Sequence, residues 1–417
     1  MTVRVAYVIE NQLDRRDYER NGVSAMVALG AEVDVIDVTR VTRPHFVETR
    51  TLTDSFPGIT IHTVAGPGAL GAQLANLRRA DIVFVYVGFT GSPRALTIYR
   101  LLAKAGRPYC VFATNAYPGH TRHAGDIRKI GSRVRNIAER LLAGQIDPVR
   151  SILFRLPPQV LGVVPPAFIV HGGRGSHAAG RMYPVGPQTR RIHAHSQDYD
   201  IFRRERDAAP VEAEPLAVFI DENMGFQRDF QDLGLEPPTT VEAYYPRLRR
   251  LFDRIEAETG LTVVIAANPR SDYSSMPELF GHRRIEYGVT ARLIARSRLV
   301  IGHRSTAIGF AVMFRRPMAM LATDSIYRHF VNTPVYDSFR EALGTHIRFF
   351  DDPESTDLAD LERFDAAAYD RYMAEYVKMP DSPDAPFWDI IATELSRAGI
   401  ALPSLASLPS PKPGIMP

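Results

Sequence analysis

The chain has 417 residues, of which 45% are hydrophobic and 23% charged, and its formal net charge is +3. These values are typical of a globular protein, and the length favours two domains. The small net charge and the lack of a long basic run argue against a nucleic-acid-binding protein. A single cysteine, Cys110, excludes an internal disulfide framework and a multi-cysteine metal site.

The apolar segments are too short to suggest a membrane protein. No run of about 18 apolar residues occurs, which predicts no transmembrane helix. The first residues lead directly into a strand-like segment, without the charged and apolar regions of a secretory signal. We therefore expect a cytoplasmic protein.

The first half of the chain opens as a parallel α/β unit. Residues 3–9 predict a strand, residues 18–29 a helix ended by Gly30, and residues 32–38 a second strand. This order is typical of a doubly wound sheet. The turn after the first strand is Glu10-Asn11-Gln12 rather than a glycine-rich fingerprint, so we predict no dinucleotide site.

Polar loops follow the later predicted strands of this half. Residues 81–87 and 109–113 read as buried strands, and the loops after them contain Gly91, Asn115 and His120. Because carboxyl ends of parallel strands share one edge of a sheet, these loops are either plain turns or an acceptor-side binding surface. The glycine-rich loop 171–177 suits either a phosphate contact or a mobile loop.

Two histidines lie on one face of the next predicted strand, at residues 191–196. His193 and His195 have the alternating spacing of a metal-binding pair. No third ligand is present at a useful sequence spacing, and we therefore predict no metal site.

An Ala/Pro/Glu-rich segment at 208–214 separates a second α/β unit. It has the predicted strands 216–220, 261–267, 283–287, 299–301 and 318–321, with helices at 241–259 and 307–314. Its later part predicts helices at 357–377 and 387–398. The fold class is therefore α/β, with two Rossmann-like doubly wound domains and a cleft between them. The predicted divisions are residues 1–207, residues 208–345, helices of residues 346–400 that pack back across the hinge, and a disordered tail at 401–417.

Three strand-end loops of the second unit converge in this scheme. They are Asp221-Glu222-Asn223, Asn268-Pro269-Arg270 and His303-Arg304-Ser305-Thr306. Carboxylates suit sugar hydroxyls or a general base, while cations, hydroxyls and a helix start suit a phosphate. The alternative for the third loop is that Ser305 and Thr306 only cap the helix that follows.

With these motifs, residues 215–325 resemble the two-domain GT-B glycosyltransferases. They are most similar to the sialyltransferase-like and Kdo-transferase-like enzymes of bacterial surface-polysaccharide assembly. Those enzymes carry an acidic motif, a His-Pro motif after a strand, and a Ser-Ser/Thr motif at a helix start. Here Asn268 stands where the family has histidine, and Asn223 stands where it has glycine. The first departure puts the donor affinity or donor type in doubt, because Asn donates a hydrogen bond but carries no charge.

The resemblance implies a metal-independent glycosyltransferase with no cofactor and a nucleotide-sugar (CMP, UDP, GDP or dTDP) as co-substrate. The acceptor would be a saccharide or a lipid-linked saccharide, and peripheral membrane association is compatible with this class. The implied catalytic residues are Asp221, Glu222 and His195, with Glu10 and His120 as further candidates for the base. The implied donor-binding residues are Asn268, Pro269, Arg270, His303, Arg304, Ser305 and Thr306, and the acceptor side has Glu10, Gly91, Asn115 and His120.

Two alternatives remain open from the sequence. A nucleotide-sugar epimerase would use the same phosphate loops but would need more carboxylates in the cleft. A catalytically inactive sugar- or nucleotide-binding protein of a polysaccharide assembly complex would bind nucleotide without turnover. The donor, the acceptor, the stereochemical outcome and the oligomeric state do not follow from the sequence.

Overall fold

A computed structural model describes residues 2–43, 55–90, 94–120, 156–208, 213–226, 236–269, 271–329, 332–400 and 402. Several predictions fall outside these ranges, namely Gly91, Arg270, the linker residues 209–212 and the tail 403–417. The side chain of His120 is also outside the described set.

The first sheet has seven parallel strands in the order β3-β2-β1-β4-β5-β6-β7. The strands are β1 (Arg4–Ile9), β2 (Glu32–Asp37), β3 (Ile59–Thr63), β4 (Ile82–Tyr86), β5 (Tyr109–Ala113), β6 (Phe168–His171) and β7 (Arg190–His193). The central strands are buried on both faces, which explains their continuous apolar sequences. The strand order reverses between β1 and β4, and a crevice forms at such a point.

The second sheet has six parallel strands in the order β10-β9-β8-β11-β12-β13. They are β8 (Leu216–Ile220), β9 (Thr262–Ala266), β10 (Ile285–Glu286), β11 (Leu299–Gly302), β12 (Met318–Ala322) and β13 (Ile347–Phe349). The order reverses here between β8 and β11. The two sheets confirm the predicted α/β class with two Rossmann-like, doubly wound units.

The described α-helices flank these sheets. In the first half they are α1 (Arg15–Arg20), α2 (Val23–Ala28), α3 (Thr39–Thr42), α4 (Leu74–Arg79), α5 (Ala95–Ala105), α6 (Ser176–Ala179) and α7 (Gln197–Asp207). In the second half they are α8 (Val241–Thr259), α9 (Thr290–Arg296), α10 (Ile308–Met313), α11 (Asp324–Arg328), α12 (Thr333–Leu343), α13 (Ala366–Tyr372) and α14 (Phe387–Arg397). None of the described helices is long and apolar enough to cross a bilayer.

The carboxyl edges of the two sheets face each other. A short 3-10 turn, Pro118–His120, follows β5 and contacts α12 of the second unit. The ring of Tyr117 stacks on Phe339 of that helix, with centroids 6.2 Å apart. The strand-end loops of both sheets therefore border one interdomain cleft.

The end of the chain returns from the second unit to the first. The Tyr369 hydroxyl of α13 donates to the Arg316 carbonyl, and a π-helical turn, Met373–Val377, follows. The amide of Ser196 then donates to the Val377 carbonyl at 2.7 Å. Helix α14 packs into the first unit's core, where Trp388 contacts Phe84 edge to face.

One predicted helix, residues 18–29, is divided into α1 and α2. The break falls at Gly22, which has a left-handed φ of 70°. A Cβ atom at this position would lie 2.1 Å from the Trp388 ring. The break thus makes room for the indole, a partner that the local sequence does not reveal. Similarly, the predicted helix 357–377 is helical only from residue 366 onward.

We predict that Gly22→Ala destabilises the protein more than Gly30→Ala. Both glycines have a left-handed φ, 70° and 77°, but only Gly22 adjoins Trp388, and nothing lies within 4 Å of a Cβ at Gly30. An alanine in this conformation costs about 1–2 kcal/mol. Displacement of the indole adds about 1–3 kcal/mol at Gly22 alone. Chemical denaturation measures both free energies of unfolding, and equal losses would contradict the packing explanation.

Candidate functional site

In the second sheet a glutamate bridges the point where the strand order reverses. Glu222 follows β8, and its Oε1 accepts a hydrogen bond of 2.7 Å from the backbone amide of Arg304, which follows β11. The two predicted loops therefore converge as expected from the strand order. Glu222 is half-buried at this crevice.

Asp221, next to it, holds the adjoining loops in place. Its side chain is 5% exposed and accepts from the backbone amides of Asn223 (2.8 Å) and Asn268 (3.1 Å). The Tyr273 hydroxyl donates to Asp221 at 2.6 Å. Burial raises the pKa of Asp221, and these three donors act in the opposite direction. With its oxygens so engaged, Asp221 is suited to positioning the loops rather than to accepting a proton from a substrate.

The ring of His303 is turned away from the cleft. It is fully buried, with Nδ1 2.8 Å from the Leu321 carbonyl and Nε2 2.6 Å from the Tyr244 hydroxyl. Nδ1 therefore donates to the carbonyl and Nε2 accepts from the hydroxyl. Burial lowers the pKa of His303, which favours this neutral form. The predicted donor contact of His303 is corrected accordingly: the ring supports the loop from inside.

Arg304 is the cation of this site. Its Nε atom is buried and has no hydrogen-bond partner among the described residues. Burial raises the pKa of Tyr117, while the nearby Arg304 guanidinium opposes that rise. Since Tyr117 follows β5 of the first sheet, Arg304 lies where the two units meet. An unpartnered guanidinium nitrogen in a crevice is suited to an anionic ligand.

The hydroxyls of the predicted phosphate loop are placed differently. Ser305 Oγ accepts from the amide of Ala307 at 3.1 Å, which stabilises the turn before α10. Thr306 is exposed. The backbone carbonyl of the half-buried Asn268 accepts a hydrogen bond from the Ser271 hydroxyl. Pro269, the next residue, is exposed. The loop is thus built mainly through backbone groups, and Arg304 and Thr306 present side chains at its surface.

The first sheet also has a glutamate at its crevice. Glu10 follows β1, and its carboxylate lies close enough to the backbone amide of Gly88, which follows β4, for that amide to lower the Glu10 pKa. Burial raises the pKa of Glu10, while Arg43 and the Gly88 amide oppose that rise. A half-buried carboxylate with a raised pKa is suited to proton transfer near neutral pH.

Glu10 lines a polar cavity of about 180 Å3 at this sheet edge. Asn115, also predicted for the acceptor side, lines the same cavity. It is bounded further by Asp17, Arg20, Tyr86 and Gln197. The Tyr86 hydroxyl is buried without a partner among the described residues. A ligand hydroxyl is a natural partner for such a group.

Arg20 organises one wall of this cavity. Its Nε donates to Gln197 at 2.8 Å and its Nη2 to Asn115 at 3.2 Å. Nη2 also pairs with Asp198 at 3.1 Å. The Trp388 indole donates to the Arg20 carbonyl at 3.4 Å, so α14 supports this wall from outside.

His195 lies away from both crevices. It is fully buried, and its Nδ1 and Nε2 are each 2.9 Å from a carbonyl oxygen, of Ser196 and Ala385 respectively. Asp200 lies 3.7 Å from Nε2 and accepts from the backbone amide of Phe387. His195 thus fixes the returning chain to the first unit, which corrects its predicted catalytic role.

His193 does not form the suggested pair with His195. Its neighbours are His171, opposite it in register on β6, and His177 of α6. Burial, together with His177, His193 and Arg191, lowers the pKa of His171 to about 3. The amides of Arg174 and Gly175 in the adjoining glycine-rich loop donate to the chain at 374–375. They are therefore not directed to a phosphate.

Sequence reasoning missed several residues of the site. Tyr273, Tyr117 and Arg20 act through partners that are distant in the chain. The only local signal was the spacing of Asp17 and Arg20, three residues apart and close behind Glu10.

No protein-family model and no curated protein matches this sequence. Among solved structures, the chain is similar to CalG4, the calicheamicin glycosyltransferase (12% identity, 89% of this chain and 92% of that one, TM-score 0.46). It is also similar to the wall teichoic acid polymerase TagF (10%, 96% and 88%, TM-score 0.47). A third is MnaA of S. aureus in complex with UDP (11%, 98% and 99%, TM-score 0.43). The chemistry of the two crevices depends on the residues of this chain.

We predict that Tyr273→Phe destabilises the protein at pH 7 by about 1–3 kcal/mol, because ionised Asp221 loses a buried hydrogen bond. Because the folded-state pKa of Asp221 is raised above its unfolded value, folding becomes less favourable as the pH rises from the unfolded value to the folded-state pKa. The destabilisation caused by Tyr273→Phe should therefore become smaller as the pH falls through the folded-state pKa of Asp221, because the carboxyl is then neutral. Urea denaturation at a series of pH values measures the effect.

Tyr7→Phe is the matched control for this experiment. Tyr7 is also buried, but its hydroxyl has no partner among the described residues. Its removal should be neutral or slightly stabilising at every pH. A Tyr273→Phe loss no larger than that of Tyr7→Phe would show that Asp221 does not depend on this hydroxyl.

Proposed function

We propose that the protein is a glycosyltransferase that moves a sugar from a nucleotide-activated donor to a saccharide acceptor. The observation that carries the proposal is the pair of facing crevices, each with a glutamate after its leading strand. One crevice presents a cation, Arg304, and the other adjoins a polar cavity that contains Glu10. Glycosyl transfer needs these two functions, stabilisation of a leaving phosphate and deprotonation of an attacking hydroxyl.

The donor phosphate is assigned to the second unit. Its charge would be neutralised by the Arg304 guanidinium, whose Nε lacks a protein partner in the described structure. The hydroxyls of Thr306 and Ser305 would add contacts to the phosphate. Asn268 and Pro269 would lie beside them. As the bond to the sugar breaks, negative charge grows on the leaving phosphate, and a preorganised cation stabilises it more than it stabilises the intact donor.

The acceptor hydroxyl is assigned to the cavity of the first unit, with Glu10 as the general base. Among the carboxylates considered, Asp221 is engaged by three donors, and Glu222 lies in the crevice assigned to the donor phosphate, where it accepts from the Arg304 amide. Glu10 lines open space and has a pKa raised towards the working pH. Its carboxylate would take the acceptor proton while the hydroxyl oxygen attacks the anomeric carbon.

The finer assignments follow the sequence resemblance. We infer a bacterial surface-polysaccharide enzyme of the sialyltransferase-like or Kdo-transferase-like type, acting in the cytoplasm on a saccharide or lipid-linked saccharide. Arg304 would take the place of a divalent cation at the phosphate, so transfer would need neither a bound metal nor a cofactor. An epimerase would instead convert the nucleotide-sugar without an acceptor, and an inactive binding protein would bind nucleotide only. Product analysis with and without acceptor distinguishes the three.

The donor assignment predicts that nucleotides stabilise the protein and that Arg304 carries much of their affinity. Thermal denaturation with CMP, UDP, GDP and dTDP identifies the nucleotide that raises the melting temperature most. Calorimetric titration should then show about a tenfold or greater loss of affinity in Arg304→Ala, because hydrogen bonds to charged groups contribute about 1.5–3 kcal/mol. A Ser305→Ala/Thr306→Ala variant should also lose affinity, beyond the ~1 kcal/mol of stability that a turn hydroxyl contributes.

Arg397→Ala is the control for these titrations, since Arg397 is an exposed residue of α14 that pairs with Glu394. This control variant should bind the nucleotide with the same affinity as the wild type. If no nucleotide stabilises the protein, or if Arg304→Ala and the double variant bind as tightly as the wild type, the donor site lies elsewhere.

The acceptor assignment predicts that Glu10→Gln lowers kcat by about 10²–10⁴-fold and leaves nucleotide affinity unchanged. In the wild type the rate should fall as the pH drops through the raised pKa of Glu10, because only the ionised carboxylate accepts a proton. Steady-state kinetics across pH tests both statements, with the exposed Glu19→Gln as control. A Glu10→Gln enzyme that retains kcat and the same acidic limb would exclude Glu10 as the base.

A further inference from the structure

Three histidine side chains cluster at the far edge of the first sheet. The ring centroids of His171 and His177 are 4.4 Å apart, those of His177 and His193 5.5 Å, and those of His171 and His193 5.8 Å. The rings come from three elements, β6, α6 and β7. Two strands, β4 and β5, separate this cluster from the crevice at Glu10.

The hydrogen bonds of His171 define which of its ring nitrogens carries the proton. Ser176 Oγ donates its only hydrogen to the Gly173 carbonyl, at 2.5 Å. Towards His171 Nδ1, 3.2 Å away, that oxygen must therefore accept, so Nδ1 carries the proton. The lone pair is then on Nε2, which is buried and has no hydrogen-bond partner among the described residues.

A second nitrogen in the cluster is also buried without a hydrogen-bond partner among the described residues. His193 Nδ1 also has no partner in the described part of the chain. Buried polar atoms without partners are rare, because each one loses its interaction with water without replacement. Two of them on adjacent histidines mark a position where a ligand shared by the cluster would find partners.

We propose that His171, His177 and His193 bind a divalent transition-metal ion of the zinc, cobalt, nickel or copper class. Imidazole nitrogen suits these ions. With a metal–nitrogen bond of about 2.1 Å, the rings of two histidines on a tetrahedral ion have centroids about 5 Å apart. The three observed spacings bracket this value. The bond from His171 Nδ1 to Ser176 is also the kind of outer contact that orients a metal-ligating histidine.

Binding requires the rings to reorient. Across the described ranges, no group of three or more His, Cys, Asp or Glu side chains is arranged to hold a metal ion as it stands. Histidine rings turn about the Cβ–Cγ bond over a broad, shallow energy profile, and His177 is exposed and has room to move. Arg191, two residues before His193, is the nearby cation that opposes binding, and its exposure to solvent weakens this effect.

Such an ion would be structural. It would join the ends of β6 and β7 to α6, next to the loop whose amides hold the returning chain at residues 374–375. Solvent beside His177 would supply a fourth ligand. The site is independent of the proposed transfer reaction, and its test needs no turnover.

The experiment uses full-length, tag-free protein that has been freed of metal with a chelator. Titration with Co²⁺, followed by visible absorption, should give one equivalent bound with the intense bands of a four-coordinate ion, and Zn²⁺ should abolish them. Calorimetry with Zn²⁺ should show at least a tenfold weaker affinity for His177→Ala and for His193→Gln. His177 is exposed, so its substitution should leave the fold intact, as circular dichroism will verify.

His282→Ala is the matched control, because this histidine is 76% exposed and lies in the second unit. It should bind Co²⁺ and Zn²⁺ as the wild type does. The proposal is overturned if the wild type gives no stoichiometric cobalt spectrum, or if a folded His177→Ala variant binds as tightly as the control.

Discussion

A carboxylate follows the leading strand at the crevice of each of the two sheets. Where the strand order reverses, the neighbouring helices lie on opposite faces, and the loops separate. Backbone amides in such loops need acceptors, and Glu222 accepts from the Arg304 amide in the second unit. In the first unit Glu10 lies close enough to the Gly88 amide for that amide to lower the Glu10 pKa. Both units thus place a carboxylate at the crevice.

The position of these crevices depends on contacts that cross between the units. Tyr117 stacks on Phe339, and the Arg304 guanidinium is close enough to influence the Tyr117 hydroxyl. Helix α14 returns to the first unit, where Trp388 packs against Gly22 and its indole donates to Arg20. Arg20 in turn holds Asn115 at the wall of the cavity. The far end of the chain is therefore part of the scaffold of the site beside Glu10.

The sequence was sufficient to predict most strands of both sheets, because buried parallel strands have continuous apolar runs that end in polar loops. It did not predict the edge strands β3 and β13, which are short and partly exposed. It also predicted that the loops containing Glu222 and Arg304 would meet, since strand order determines which loops are adjacent. It did not predict the break at Gly22, whose cause is a tryptophan more than 360 positions later. The partners of His193 were missed for a related reason. Spacing along one strand suggested His195, whereas the pairing of β6 with β7 supplies His171.

Asp221 and Glu10 differ in the hydrogen-bond donors that surround them. Asp221 is buried and saturated by two amides and a hydroxyl, so its charge is used to fix loops. One of those amides belongs to Asn268, and a backbone amide is available from any residue except proline. Glu10 faces open space with one backbone donor identified, and it retains the capacity to accept a proton that Asp221 has lost.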